Sequence, residues 1–383
     1  MSESTPEVLT HARIVLPDSV IDNGWVAIEN GVIAEVGVGK PPEKGNSLGG
    51  DMLIPGLIEL HTDHLETHLE PRPKVEWHQA SAVLAYDAQI AAAGITTVFD
   101  CLRVGTDRDI GDRGGARARR IVGALERIGR GGNLRAEHHT HLRCEVSSDD
   151  VIEAARSILE SHSVGLISLM DHTPGQRQFR DVDKLRTYYR AKLQMSEDEL
   201  EAFFSERYRM HERNSIQHRR ALVSLAQLHS IPLASHDDTT LEHVAESAAD
   251  GAVLAEFPTT AEAARASHDA GIAVVMGAPN LIRGGSHSGN VAASDLASEG
   301  LLDIFSSDYI PASLIMAAFQ LKDHGVEIEL PEAVATVTST PARAAGLLDR
   351  GEIAVGKRAD LVHVFHGETP IVRTVWREGR RVI

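Results

Sequence analysis

The segment Ile54-Pro-Gly-Leu-Ile-Glu-Leu-His61-Thr-Asp63 is an apolar run that ends in two potential metal ligands. In an extended chain, residues i and i+2 point to the same side, so His61 and Asp63 can bind one metal ion together. The tripeptide His-x-Asp is common by chance. Its meaning therefore depends on whether other apolar runs end in the same way.

Similar apolar runs alternate with helical stretches through the middle of the chain. The predicted strands are 52–60, 95–102, 137–146, 165–171, 232–235, 253–257, 273–277 and 302–306. Predicted helices between them include 80–93, 116–128, 151–161, 240–249, 261–270 and 313–322. Such alternation predicts a parallel sheet covered by helices, and eight strands in succession predict a closed (β/α)8 TIM-type barrel.

Both ends of the chain contain only short strand-like runs separated by turns. These are residues 8–16, 24–29 and 31–38 near the start, and 359–364 and 370–378 near the end. We therefore predict a small β-sandwich domain built from residues 1–53 and 351–383, beside a barrel of residues 54–350. A charged segment at about 179–227 has helical spacing and predicts a helical insertion after the fourth barrel strand.

In such a barrel the active site lies where the strands end and the βα loops begin. Candidate metal ligands lie at or just after the ends of five predicted strands, namely His61, Asp63, Glu145, His172, His236 and Asp308, with His139 and His141 of the third strand in reserve. Imidazole and carboxylate groups together suit zinc, manganese or iron(II). Asp308 could also accept a proton from water, which makes it the predicted catalytic residue, and Glu145 could bridge two ions.

The charge balance and the cysteine count restrict the classes of partner. With 38 basic and 55 acidic side chains, the formal charge is -17, which disfavours nucleic acid and anionic membranes as partners. Cys101 and Cys144 both lie in strand-like runs, which argues against a disulfide framework and for a reducing compartment. We predict a cytoplasmic protein; its oligomeric state is open, with a homo-oligomer as one alternative.

The opening segment 54–63, the closing segment 351–362 and the barrel between them resemble the amidohydrolase superfamily. Longer motifs resemble one branch of it, which hydrolyses α-D-ribose 1-methylphosphonate 5-triphosphate in the carbon–phosphorus lyase pathway. They are HTDHLETHLEPRP (61–73), AEHHTHLRCE (136–145), SLMDHTPGQRQF (168–179), ASHDDTT (234–240), AEFPTT (255–260), GAPNLIRGGSHSGN (277–290) and SSDYIPASL (306–314). The resemblance covers essentially the whole chain. It implies a metal-dependent diphosphatase that releases pyrophosphate from a small molecule and leaves the 5-phosphate.

The sequence departs from the superfamily pattern in two places. The second ligand is Asp63 where a histidine is usual, and no lysine ends the fourth strand, so Glu145 is predicted in place of a bridging carbamylated lysine. Whether one metal ion or two bind stays open, although zinc is the predicted metal. A hydrolase of C–N bonds, either a cyclic amidase or a deaminase, is the alternative activity, and a non-catalytic barrel subunit is a third.

A triphosphate substrate requires local positive charge in an acidic protein. The recognised motifs contain basic side chains near the predicted ligands, and we predict that these bind substrate: Arg72, Lys74, Arg143, Arg177, Arg180, Arg283 and His287. Residues 284–289 form a Gly/Ser loop whose backbone amides could also bind phosphate oxygens. The alternatives are solvated salt bridges for the arginines and a tight turn or flexible lid for the loop.

Overall fold

The computed structural model describes residues 7–73, 75–106, 115–177, 182, 185–186, 190, 196–286 and 289–383. Its strands form two separate sheets, one from the chain ends and one from the middle. None of the helices within these ranges is long and apolar enough to span a bilayer.

The sheet from the chain ends has eight strands: β1 (Glu7–Val15), β2 (Val20–Glu29), β3 (Val32–Val38), β4 (Asn46–Ser47), β5 (Met52–Pro55), β14 (Leu361–His366), β15 (Pro370–Arg377) and β16 (Arg380–Arg381). Its order is β16-β15-β14-β5-β1-β2-β3, with β4 beside β1. Apart from the pairs β1–β4 and β1–β5, the strands are antiparallel. Both chain ends supply side chains to one core, as in a sandwich, but the hydrogen bonding is that of one continuous sheet.

The second sheet is the predicted barrel. Its eight strands are parallel and follow chain order: β6 (Leu57–Thr62), β7 (Ile95–Val104), β8 (Glu137–Glu145), β9 (Leu166–Met170), β10 (Leu233–His236), β11 (Ala252–Glu256), β12 (Ala273–Gly277) and β13 (Ile304–Ser306). A parallel bridge between Thr62 and Asp308 brings the first and last strands together. There the Thr62 hydroxyl donates to the Asp308 carbonyl at 2.7 Å, so the barrel is nearly closed.

The prediction of one strand over residues 52–60 was wrong, because the chain divides it between the two sheets. β5 pairs with β14 and β1 in the small sheet, whereas β6 begins the barrel. The break is at Gly56, whose N–H donates to the Asp360 carbonyl at 2.8 Å. A Cβ at this position would lie 2.2 Å from the Thr96 hydroxyl oxygen, so only glycine fits. Residues 54 and 55 therefore belong to the small sheet.

Helices cover the outside of the barrel. They are α1 (Leu65–Leu69), α2 (Gln79–Ala92), α3 (Gly115–Arg130), α4 (Val151–Leu159), α5 (Glu197–Leu228), α6 (Leu241–Ala249), α7 (Ala261–Asp269), α8 (Ala278–Ile282), α9 (Ala293–Ser298), α10 (Ser313–Gln320), α11 (Leu330–Ala335) and α12 (Ser339–Ala344). α5 begins at a capping box formed by Ser196 and Glu199. Its last turns place Leu222, Val223 and Ala226 in the main core. The predicted insertion therefore also contains the helix that follows the fourth barrel strand.

An ion-pair network joins the barrel floor to the C-terminal segment. Glu137, at the start of β8, accepts hydrogen bonds from Arg350 at 2.8 Å and from Arg358. Arg358 also binds Asp360 at 2.5 Å, and both arginines are largely buried. Buried charges of this kind hold a structure together only while every partner is present.

We expect Arg358→Ala to reduce the free energy of unfolding by about 3 kcal/mol, because it leaves the buried Asp360 carboxylate without its arginine partner. Urea denaturation would measure the change, and Arg380→Ala, which removes an exposed arginine, is the control. An equal, small effect of the two substitutions would contradict this role for the network.

Candidate active site

A cavity of about 220 Å³ opens at the carboxyl ends of the barrel strands. This is the end of the barrel at which active sites of such folds lie. Its wall includes seven histidine, acidic or arginine side chains: His61, Asp63, Arg143, His236, Asp237, Arg283 and Asp308. Most of these are residues that the sequence predicted as metal ligands or substrate contacts.

Two of the predicted histidine ligands lie over one buried carboxylate. The rings of His61 and His236 are stacked, with centroids 5.4 Å apart and an interplanar angle of 14°. Their Nδ1 atoms lie 2.8 and 3.2 Å from the two oxygens of Glu256, the last residue of β11. The contact between His61 and Glu256 is close but poorly aligned, so neither atom makes a good hydrogen bond. The nitrogen and oxygen ligand atoms of these three residues come within 4.8 Å of one another.

Burial and charge set the ionisation of this cluster. Burial lowers the pKa of the His236 imidazole well below its usual value, and lowers that of His141 to about 4. Burial alone would raise the pKa of Glu256, but the neighbouring His61 and His141 hold it well below its usual range. Burial therefore favours the neutral form of the His236 and His141 rings, which is the form in which an imidazole binds a metal ion.

A second possible ligand group adjoins the first. His172, His236 and Asp237 also have ligand atoms within 4.8 Å of one another. The predicted ligand Glu145 is fully buried behind His172, with 2.6 Å between its Oε2 and the ring Nδ1. The Glu145 carboxylate also binds Arg103 at 3.2 Å. Glu145 thus lies against His172, and it belongs to none of the three groups of converging ligand atoms that the described residues form.

The predicted ligands Asp63 and Asp308 lie at the place where the barrel closes. The Asp63 N–H donates to the Asp308 carbonyl at 3.3 Å, and both side chains border the cavity. Asp308 and Asp237 both have a positive φ, of 54° and 58°, at the ends of their strands. Positive φ is unusual for residues other than glycine and is often found at functional sites.

The side chain of Glu59 links the first barrel strand to the last, directly beneath Asp63 and Asp308. It is fully buried and accepts hydrogen bonds from the His61 N–H at 2.7 Å, the Ser306 hydroxyl at 2.8 Å and the Ser307 N–H at 2.5 Å. Burial raises the pKa of Glu59, although these hydrogen bonds oppose the increase. Glu59 therefore fixes the backbone of His61 relative to β13.

The predicted substrate-binding residues have different surroundings. Arg143 and Arg283 border the cavity, and Arg143 lies 3.6 Å from Asp63. Arg72 is exposed in a turn and is not part of the cavity wall. Lys74, Arg180 and His287 lie outside the described residues.

Arg177 requires a correction to its predicted contact with substrate. Its guanidinium is buried, forms an ion pair with Asp238 and donates to the His236 carbonyl at 3.3 Å. Because its donors face these partners, Arg177 supports the loop after β10 from behind. The sequence could not distinguish this orientation from one that faces the cavity.

The reserve candidates have different positions in β8. His141 is fully buried beneath His61, where its Nδ1 lies 2.9 Å from the Leu60 carbonyl and 3.1 Å from the Cys101 sulfur. His61, Cys101 and His141 form a third group of converging ligand atoms. His139 stacks on Phe99 near the start of the strand and lies 3.0 Å from Glu137 on the barrel floor. Cys101 and Cys144 are both free and buried.

The residue preceding His139, His138, is buried between two carboxylates outside the cavity. Its Nδ1 lies 2.9 Å from Asp100, and its Nε2 lies 3.3 Å from Asp87. Burial alone would lower the pKa of His138, but the two aspartates raise it from 6.5 to about 9. Protonated His138 therefore contributes stability fully below pH 6.5, and this contribution is lost as the pH rises through 9.

We expect the free energy of unfolding to fall between pH 6.5 and 9, and to fall less steeply in His138→Gln. Urea denaturation of the wild-type protein and of His138→Gln between pH 6.5 and 9 would measure the fall in the free energy of unfolding. Identical pH dependence of the two proteins would show that His138 is not the titrating group.

Three residues near the site were absent from the predicted set: Glu59, Asp237 and Glu256. Two of them had a usable signal in the sequence. Glu59 precedes His61 by two positions, so alternation places both on the same side of β6. Glu256 lies in the predicted strand 253–257, near the strand end where active-site residues are expected.

Comparisons with known proteins agree with this fold. A sequence profile of the amidohydrolase family matches residues 90–383. The chain is 45% identical over 379 residues to alpha-D-ribose 1-methylphosphonate 5-triphosphate diphosphatase of Escherichia coli (strain K12), covering 98% of this chain and 100% of that protein.

Solved structures resemble the fold at low sequence identity. One is N-acetyl-D-glucosamine-6-phosphate deacetylase from Mycobacterium smegmatis, with a TM-score of 0.65 at 18% identity and coverage of 98% of this chain and 100% of that one. Another is A. niger ochratoxinase, with a TM-score of 0.66 at 13% identity, covering 99% and 96% of the two chains. At these identities the likeness concerns the fold alone.

Proposed function

The chain belongs to the amidohydrolase family, a family of metal-dependent hydrolases, and from this premise we propose the reaction that it catalyses. The reaction is hydrolysis of α-D-ribose 1-methylphosphonate 5-triphosphate to the 5-phosphate and pyrophosphate. The observation that carries the proposal is 45% identity, over the full length of the relative, to a diphosphatase of that name.

The side chains around the cavity suit a divalent transition metal. Buried imidazoles converge with carboxylates: the ligand atoms of His61, His236 and Glu256 lie within 4.8 Å of one another, and so do those of His172, His236 and Asp237. Converging imidazole and carboxylate groups are the ligand set that zinc and similar ions use in proteins. We propose one or two ions, zinc by preference because of the mixed nitrogen and oxygen ligands, held by His61, Asp63, His172, His236 and Asp308. Glu145, the bridging ligand expected from the sequence, lies behind His172 and would hold its ring in place.

When bound, a divalent ion would polarise a phosphoryl oxygen and lower the pKa of a coordinated water molecule. The protein must then hold the substrate and move a proton. Asp308 borders the cavity at the end of the last strand, where its carboxylate can accept a proton from the attacking water. Asp237, which follows the last residue of β10, borders the same cavity.

Local charge must overcome the acidic surface for a triphosphate to bind. Arg143 and Arg283 border the cavity, and their guanidinium groups can neutralise the phosphate oxygens. Asn280 and Asn290 add polar contacts to the same wall. These residues favour an anionic substrate over the neutral ring of a cyclic amide, although the total charge is -17.

The proposed partner is this small molecule alone. The formal charge of -17 makes nucleic acid and anionic membrane surfaces unfavourable partners. The two free, buried cysteines suit the reducing cytoplasm, where we place the reaction.

Phosphorus NMR of the purified, metal-loaded protein with the ribosyl phosphonate triphosphate tests the proposal. We expect equimolar pyrophosphate and 5-phosphate, with no release of orthophosphate from the substrate. In parallel, the protein is offered a hydantoin and an aminopurine. Turnover of either compound without release of pyrophosphate would overturn the proposal in favour of C–N hydrolysis.

A further inference from the structure

Glu256 occupies a central position beneath the candidate metal ligands. It ends β11 and is fully buried. Polar side chains from four other barrel strands surround its carboxylate: His61 from β6, His141 from β8, Ser168 from β9 and His236 from β10. Glu256 is therefore in contact with polar side chains from four of the other seven barrel strands.

The partners of this carboxylate are unusual for a buried acid. In the described part of the chain, the ion-pair partners of Glu256 are three histidines, at 2.8, 3.7 and 3.2 Å, and none is an arginine or lysine. A buried carboxylate is unstable without donors. Since an ionised carboxylate can only accept hydrogen bonds, the facing ring nitrogens must carry protons.

This requirement fixes which nitrogen of each ring is free. The Nδ1 atoms of His61 and His236 both face Glu256, so their Nε2 atoms face away from it. The two rings are nearly parallel and both border the cavity. The Nε2 of His236 lies 3.4 Å from Asp237, which also borders the cavity. Both Nε2 atoms therefore face the cavity side.

Ser168 holds the carboxylate itself in place. Its hydroxyl donates to Glu256 Oε2 at 2.8 Å, and it is hydrogen-bonded in turn to His141 Nε2. All of these side chains are buried, so none has water as an alternative partner. The orientation of Glu256 is thus set by the barrel interior.

We propose that Glu256 is a positioning residue that holds His61 and His236 as Nδ1–H tautomers and directs their Nε2 atoms toward the metal. The inference rests on the metal requirement of the proposed function, but not on the identity of the substrate. Carboxylates that orient metal-binding imidazoles in this way typically change metal affinity by about 10- to 100-fold. In the competing arrangement, Glu256 is itself a metal ligand, and the Nδ1 atoms of His61 and His236 bind the same ion.

Cobalt(II) titration of the metal-free protein, followed by visible absorption, tests the proposal. In Glu256→Gln one amide oxygen replaces two carboxylate oxygens, so at most one imidazole keeps its acceptor. We expect affinity to weaken by about 10- to 100-fold, with the stoichiometry and the saturated absorption spectrum unchanged. Glu256→Asp should recover part of the affinity. Lost stoichiometry or an altered saturated spectrum would instead identify a direct ligand, and unchanged affinity would show a purely structural role; either overturns the proposal.

Two further variants keep the test decisive. Glu137→Gln changes a carboxylate on the barrel floor that binds arginines, so it should lose stability but bind cobalt normally. If Glu256→Gln does not fold, Ser168→Ala replaces it in the test, because this substitution removes one hydrogen-bond donor to Glu256. We expect Ser168→Ala to bind cobalt several-fold more weakly. Normal cobalt binding by Ser168→Ala would count against the proposal. Normal cobalt binding by the wild-type protein without pyrophosphate release would refute the proposed substrate and leave this inference intact.

Discussion

Replacing Asp308 with asparagine is expected to lower kcat for pyrophosphate release by about 10²- to 10⁴-fold, because the variant loses the proposed proton acceptor. The fold should be retained. Asparagine tolerates the positive φ of 54° found at this position. The hydrogen bonds that close the barrel here use the backbone carbonyl of residue 308, which the substitution leaves in place.

The comparison that isolates this effect is Asp303→Asn at the opposite end of the barrel. Asp303 accepts a hydrogen bond from the Val274 N–H at 2.8 Å and is not part of the cavity wall. We expect this control to keep its kcat even if its melting temperature falls. Elemental analysis of both proteins separates loss of the proton acceptor from loss of metal. A kcat near the native value in metal-loaded Asp308→Asn would rule out the catalytic assignment.

The barrel could be predicted because the signal for each of its strands lies in a few consecutive residues. Each parallel strand is an apolar run of a few residues, and its polar end lies directly after it in the sequence. For this reason His61 and His236 were predicted, and both border the cavity. The break at Gly56 was not predicted, because residues 52–60 are apolar on both sides of it, with Glu59 the one charged residue, and the cause is close packing against Thr96.

The parts of the site that escaped prediction depend on contacts between distant segments. In the sequence, Glu256 is a single acidic residue in an apolar strand. Its role can be recognised only in the folded structure, where it contacts His61 and His236. Arg143 lies in the predicted strand 137–146 and Arg177 follows the predicted strand 165–171, and in neither case does the sequence show which way the side chain faces. The fold turns one towards the cavity and buries the other against Asp238. Neither composition nor residue spacing shows which way an arginine side chain will face.

A larger loss is expected when the metal is removed, because every proposed role in the reaction depends on it. Chelation should abolish pyrophosphate release, and addition of a divalent transition metal should restore it. The melting temperature should also fall, because a ligand that binds only the folded state stabilises it by RT ln(1 + [L]/Kd). Three aspartates, Asp63, Asp237 and Asp308, border the cavity, whereas the arginines on its described wall are two, Arg143 and Arg283. A bound cation would therefore also balance the acidic groups.

Differential scanning fluorimetry and kinetics on the same chelated samples test both consequences. His61→Ala is the matched variant, because it removes one imidazole from the proposed ligands and should make the melting temperature less sensitive to chelator. Arg380→Ala, on the exposed edge of the small sheet, should respond to chelator as the wild type does. If a protein shown by elemental analysis to lack metal still releases pyrophosphate at the native rate, the reaction depends on side chains alone. The converging imidazoles and carboxylates would then need another explanation.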